Sequence, residues 1–208
     1  MSGTLAARPA PGEPLGTSFF DRSVHEVAPA LIGCELRVGD AAGVIVETEA
    51  YDASDPACHA HIGRTTRNEA LFGPPGRAYV YLSYGIHSLL NAVAESEGSA
   101  AAVLIRALEP TDGIELMQHR RRRDELPELC SGPGKLTEAL GVGLELNAAD
   151  LTAPPFELRA PAGDWTAPGV VAGPRIGITK AVELPWRHCA AGSRFVSRPW
   201  PERADAAA

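Results

Sequence analysis

Residues 44–51 (VIVETEAY) pass from three apolar to three polar positions and are rich in β-branched residues, and they read as a strand in which alternate side chains share a face. Residues 78–83 (AYVYLS) form a second such segment. Residues 86–94 follow directly after Tyr84-Gly85, so the two read as a hairpin in which Gly85 supplies the turn conformation. A fourth strand is predicted over residues 101–108 (AAVLIRAL). Helical signals are short and scattered. Asp21 or Ser23 can cap a helix running towards Cys34, with Glu26 completing a capping box from Ser23 and Pro29 shortening or kinking the helix. Thr111 is the predicted cap of a helix ending near Arg123, and Pro133 opens a short helix through Leu140. Residues 152–174 hold five prolines and are expected to be irregular, with short edge strands. The strands cluster and do not alternate with long helices. This favours an α+β class around a largely antiparallel sheet over a doubly wound parallel fold.

Length bounds the domain count. A chain of 208 residues suits one domain, expected over residues 18–200. Pro9, Pro11 and Pro14 among Ala and Gly mark residues 1–17 as a disordered arm, and residues 201–208 as a disordered tail completes the division. Hydrophobic residues at 45% and charged residues at 22% are ordinary for a globular protein. No apolar run approaches the roughly 18 residues of a membrane span, and the N-terminal residues do not resemble a secretory signal, so no membrane association and a cytoplasmic, nucleoid-associated location are expected. Cys34, Cys58, Cys130 and Cys189 are widely spaced without a CxxC pair, which predicts reduced thiols and no structural zinc.

The net charge of −7 argues mildly against a nucleic-acid partner. Its distribution changes that picture. Residues 175–203 carry six cations (Arg175, Lys180, Arg187, Arg194, Arg198, Arg203) against two glutamates, and Arg120 to Arg123 form an unbroken basic run that reads as a solvated helix face. Arg67, Lys135 and Arg198 are candidates for phosphate contact, with the helix start near Gly132 to Lys135 as a possible anion site.

Glu47, Glu49 and Tyr51 share one face of their predicted strand. Two carboxylates and an aromatic are poor material for a dry core, so this face is either solvated or lines a cleft with acid–base capacity. The polar segment 55–68 (DPACHAHIGRTTRN) brings His59 and His61, but no third ligand at zinc spacing, and no metal is expected. Tyr79 and Tyr81 share a strand face, and Tyr84 sits at the hairpin tip, either as a plain surface residue or as a wedge between base pairs. Arg106 is a lone charge in an apolar strand and must meet a carboxylate or water; Glu49 is the candidate partner.

These segments, in order, resemble the alkyladenine (3-methyladenine) DNA glycosylase family. The matching elements are ETEAY at 47–51, DPACHA, Arg67-Asn68, Phe72 to Gly76, YVYLSYG at 79–85, Asn91, LIRALEP at 104–110, LCSGPGKLTEAL at 129–140, RIGI at 175–178 and the closing WRHCAAGSRFVSR. The resemblance spans about Ser18 to Arg198. It implies a single compact domain with a curved sheet and a protruding β-hairpin. It also implies excision of alkylated or deaminated purines from duplex DNA by a monomer, without cofactor. Base flipping is implied because the glycosidic carbon is unreachable in stacked DNA. By the same resemblance Glu49 is the general base on a water, Arg106 helps hold that water, and Tyr51, His59 and Tyr81 bracket the base. Asn91 crowds a guanine amino group, and Tyr84 fills the gap left in the stack. His59 rather than His61 is matched through DPACHA. Ile86 and His87 depart from the Met and aromatic residues usual after the hairpin Gly. None of the residues matched to catalysis is a lysine, so hydrolysis without a lyase step is expected. Two other readings stay open at this level: a catalytically weak DNA-binding module of the same fold, and a nucleoside hydrolase.

Overall fold

The computed structural model describes residues 10, 12–163 and 169–201. Its elements are α1 (Thr17–Phe20), α2 (Val24–Ala30), β1 (Glu35–Val38), β2 (Ala41–Tyr51), β3 (Ala78–Ser83), β4 (His87–Ala94), β5 (Ala101–Asp112), α3 (Ile114–Arg121), α4 (Leu126–Cys130), α5 (Pro133–Leu140), β6 (Phe156–Arg159), β7 (Val170–Gly173) and β8 (Arg187–Ala190). All pairings are antiparallel, in the order β3-β4-β5-β2-β1-β6. β2 is the organising strand. One edge runs along β5, and the other is shared by β1 at residues 41–44 and β8 at residues 47–49, with β7 beyond β8. The α+β class is as the sequence pattern predicts. No helix among the described residues is long and apolar enough to cross a membrane.

Side-chain alternation divides the sheet into two faces. Val80, Leu90, Ala92, Val103, Ile105 and Ala107 point to one face and join Val24, Val27 and Leu31 from α2 and near it, and Leu136, Ala139 and Leu140 of α5, in the main core. Their neighbours in sequence point the other way. There Tyr79, Val93 and Ala102 form a smaller cluster with Cys58, Ala60 and Leu71, against which Tyr51 and Tyr81 pack. The β2–β5 ladder shifts register on both sides of Glu47, an irregularity of the bulge type that re-aims side chains next to functional sites. It lets Ile45 and Val46 both enter the main core.

Several local expectations are corrected. The capping box at Ser23 does not form: Ser23 caps α2 without a side-chain bond, and the orphan amide of Val24 is satisfied by Glu95 Oε1 at 3.0 Å. Thr111 lies in β5, which runs on to Asp112, and Gly113 precedes α3 instead. α4 is absent from the sequence-based expectation, although Pro127 stands in its first turn. The expected boundary of the arm at residue 17 falls inside packed chain. Leu15 is buried, Pro14 bridges Arg159, and the Gly12 carbonyl accepts from Arg159 Nη1 at 3.0 Å, so residues 12–17 are anchored on β6. Residues 1–9, 11 and 202–208 lie outside the described residues. Arg120 and Arg121 are not a merely solvated face. Arg120 donates to the Ala139 carbonyl and Arg121 to that of Leu129, tying α3 to α5 and α4, while Arg122 and Arg123 are exposed.

Gly113 closes the turn from β5 into α3 at φ +66°, and a Cβ there would stand 2.2 Å from the Asp40 carbonyl oxygen. Strained conformation and backbone clash act together. Gly113→Ala should therefore destabilise the protein by about 2 kcal/mol or more. Urea unfolding checks this; an unchanged midpoint would show that the turn relaxes freely.

Candidate active site

The second face of the sheet opens into a cavity of about 900 Å³. Its floor comes from alternate residues of β3, β4 and β5 (Tyr81, Asn91, Leu104 and Arg106 among them), and its walls from the 56–59 segment, the 176–180 segment and the start of α5. Period-two alternation thus does the positioning: the residues that do not enter the main core line the cavity.

At its base lies a buried charge network. Glu47 and Glu49 are both fully buried, so the solvated-face reading of their strand is excluded. Glu47 Oε1 accepts from Arg106 Nε at 2.9 Å, Arg187 Nε at 2.7 Å and Ser197 Oγ at 2.7 Å, and its Oε2 accepts from the Ser197 amide at 2.7 Å. Glu49 Oε1 accepts from the Ile176 amide at 2.7 Å; its Oε2 accepts from the Tyr51 hydroxyl at 2.8 Å and lies 3.2 Å from Arg106 Nη1. Arg106 therefore bridges both carboxylates rather than pairing with Glu49 alone. Burial opposes its charge, but Glu49 and Glu47 outweigh burial and raise its pKa further. Arg106 and Tyr51 line the cavity, whereas the Glu49 carboxylate sits directly behind them.

The aromatic residues form a wall. His59 and Tyr81 meet edge to face at 4.5 Å, Tyr79 stacks on Tyr81 at 5.3 Å, and His59 Nδ1 is 2.8 Å from the Tyr79 hydroxyl. Burial raises the Tyr81 phenol to about 12, with the Glu49 charge adding, and pushes Tyr51 well up. Cys58 on the same wall is an inert thiol, because burial pushes it up to about 11. His61 is exposed and outside the cavity lining, so His59 is the histidine placed at the site. Asn91 is buried and donates to the Tyr79 carbonyl at 2.9 Å, which leaves its Oδ1 as the remaining acceptor.

Tyr84 stands at the hairpin tip with 89% of its surface exposed. The Ile86 amide donates to Ser83 O at 3.1 Å, and Tyr84 and Gly85 have φ of +51° and +70°, the signature of a type I′ turn. A tyrosine at positive φ is an uncommon choice where Asn or Gly is favoured, and Ile86 beside it is also exposed.

The basic residues divide sharply. Arg175 and Arg187, two of the six cations of residues 175–203, are buried in ion pairs with Asp55 and Glu47. Arg198 is exposed and does not line the cavity. Arg67, Lys135 and Lys180 do line it, the last two being the only lysines in the chain. Arg67 Nη2 donates to the Leu82 carbonyl at 3.1 Å, and Lys135 Nζ is 2.7 Å from Glu128. Sequence reasoning gave no site role to Tyr79, Asn68, Arg175, Ile176 or Ser197, although all five lie in its matched segments. Asn68 pins the His59 loop, donating to the carbonyls of His59 and Gly63 at 2.9 Å each. A lone arginine followed by apolar residues, as in RIGI, could have flagged Arg175; nothing within the closing segment singles out Ser197.

A curled antiparallel sheet with a deep aromatic cavity over a buried carboxylate–arginine pair defines the class, and the comparisons agree. The sequence profile of the methylpurine-DNA glycosylase family matches residues 18–194, so the chain belongs to that family. Among curated relatives, a protein of Rhodopseudomonas palustris (strain BisB18) is 60% identical over 92% of this chain and 94% of its own length. One of Bradyrhizobium diazoefficiens is 56% identical over 92% and 94%, and one of Agrobacterium fabrum is 53% identical over 87% and 91%. Each bears the name "Putative 3-methyladenine DNA glycosylase".

Burial, and after it the Arg67 cation, lower the pKa of the His59 imidazole from 6.5. Because protonation is disfavoured in the folded state, stability linked to the neutral ring is lost as pH falls below the unfolded value. Arg67→Ala removes one of the two causes. The His59 midpoint, followed by NMR, should rise towards 6.5; an unmoved midpoint would mean that burial alone sets it.

Proposed function

We infer that the protein is a DNA glycosylase that flips a damaged purine out of duplex DNA into the cavity and hydrolyses its N-glycosidic bond. The observation carrying this reading is the juxtaposition of the Glu49 carboxylate and Arg106 directly beneath an aromatic-walled cavity whose mouth holds Arg67, Lys135 and Lys180. The family supports alkylated purines as substrates.

In this reading the base enters between Tyr51 on one side and His59 with Tyr81 on the other. Such stacking is worth roughly 1–3 kcal/mol per base. Asn91 lies on the floor against the base edge. A water enters beside Arg106 and takes the Glu49 Oε2 position that the Tyr51 hydroxyl now occupies. Glu49 accepts a proton from this water as its oxygen bonds to C1′, and the bonding pair of the glycosidic bond leaves with the purine. The products are an abasic sugar and the free base. Glu47 is unsuited to the same task, because four donors already occupy its two oxygens. No step requires an amine: Lys135 is engaged with Glu128 and Ser131, and the reaction ends at hydrolysis. Arg67, Lys135 and the α5 start approach phosphates, with Arg198 on the outer surface. The enzyme acts as a monomer on nucleoid DNA.

Glu49→Gln should lower single-turnover base release by at least about 10²–10⁴-fold while leaving lesion-duplex affinity within a few-fold. Near-normal release would remove Glu49 from the mechanism. Release from a free nucleoside as fast as from a duplex would favour a nucleoside hydrolase, and lesion-duplex binding without release by the wild-type protein would favour a binding module.

Tyr84 supplies a second test. Opening a stacked duplex costs a few kcal/mol, less where the base is already mispaired. Tyr84→Ala should therefore slow excision strongly from a paired lesion and weakly from a mispaired one. Equal losses in both duplexes, with an unchanged melting curve, would sink the wedge role.

A further inference from the structure

Arg175, between β7 and β8, has a fully buried side chain. Both terminal nitrogens bond the Asp55 carboxylate, Nη2 at 3.1 Å. Nη1 also donates to the Ala50 carbonyl at 3.0 Å, and Nη2 reaches that of Ala181 at 3.4 Å. The guanidinium carbon lies 4.6 Å from the centroid of the Tyr51 ring and 5.0 Å from that of Trp186. One side chain thus joins three separate parts of the cavity: the end of β2 that carries Glu49 and Tyr51, the loop that leads from Asp55 to His59, and the 176–181 segment. Its sequence neighbour Ile176 donates the amide that holds Glu49 Oε1.

We propose that Arg175 is a positioning residue for base excision. Held by Asp55, it fixes the Tyr51 ring as a stacking platform and the Ile176 amide as the orienting donor to Glu49. This rests on the roles given to Glu49 and Tyr51 above. The demands on the residue are specific to arginine. A planar fork must pair with a carboxylate along its edge while its face meets two aromatic rings, and a lysine ammonium cannot do both. Packing alone would not ask for it, since well-packed apolar residues commonly replace a buried ion pair without loss of stability. Asp55 neutralises the cation, which lets the charge stay within the fold beside a base that is itself cationic when alkylated. The side chain has no route to DNA phosphate.

The test compares Arg175→Lys and Asp55→Asn with wild type, using a duplex with one 3-methyladenine, enzyme in saturating excess, and melting curves as control. Under these conditions an unfolded fraction does not enter the rate constant, so a merely structural role leaves that constant unchanged. Misplacement by about 1 Å can cost about 10²-fold in rate, so Arg175→Lys should lower the single-turnover constant by about 10–10²-fold. Asp55→Asn should lower it in the same direction, and the affinity for undamaged duplex should not change for either. The inference is overturned if Arg175→Lys excises within about threefold of wild type, a margin well inside the loss expected from misplacement. It is also overturned if undamaged-duplex affinity falls in parallel, or if neither variant folds. Glu49→Gln in the same series separates the two levels. Excision retained there removes Glu49 from the mechanism and with it the role on which this inference rests, whereas an inactive Glu49→Gln beside a fully active Arg175→Lys defeats only the role of Arg175.

Discussion

The buried carboxylate of Glu47 is the interaction on which the site depends. An ionised group removed from water costs several kcal/mol unless its lone pairs are filled. Glu47 meets that condition with Arg106 from β5, Arg187 from β8 and both donors of Ser197. Three distant stretches of chain are thereby fixed to the middle of β2. Removing either arginine would leave an unbalanced charge in the interior, which typically costs about 3–5 kcal/mol. Arg106, held at Nε by Glu47, places Nη1 3.2 Å from Glu49 Oε2 at the base of the cavity. The chemistry of the cavity therefore rests on a neighbour that makes no contact with it.

A second constraint comes from the pleat. β3, β4 and β5 each carry one set of side chains into the main core and the alternate set into the cavity. The polar and aromatic residues of the cavity are thus tied to the apolar residues that fold the protein, one position apart. A one-residue slip in register would exchange the two faces. Precision in the site comes from that coupling, and from the cross-braces supplied by Arg175 and Asn68 to loops that have no regular structure of their own.

The charge distribution resolves the tension between an acidic chain and a DNA substrate. Arg106, Arg175 and Arg187 are used inside, each against carboxylates, and contribute nothing to an outer field. The cations at the cavity mouth are few, and two of them are the only lysines. Affinity for DNA then depends on where the charges stand, not on their sum.

The sequence by itself determined the strands that matter most and what they present. β-Branched and apolar runs marked β2 and β5, the period of two in a strand placed Glu47, Glu49 and Tyr51 on one face, and Tyr84-Gly85 marked the hairpin tip. These are local properties, set by the geometry of a pleated strand and by turn chemistry. Helix starts were less legible, since the amide of Val24 is capped by Glu95 from 71 residues away and not by its neighbour Ser23. Only the tertiary structure decided which arginines face solvent and which face carboxylates, because Arg175, Arg187 and Arg198 look alike in sequence and differ only in what folds against them. The partners of Glu47 lie 59, 140 and 150 residues away. Contacts over such distances leave no periodic trace in the chain; they exist because the sheet closes and brings β5, β8 and Ser197 to the same carboxylate.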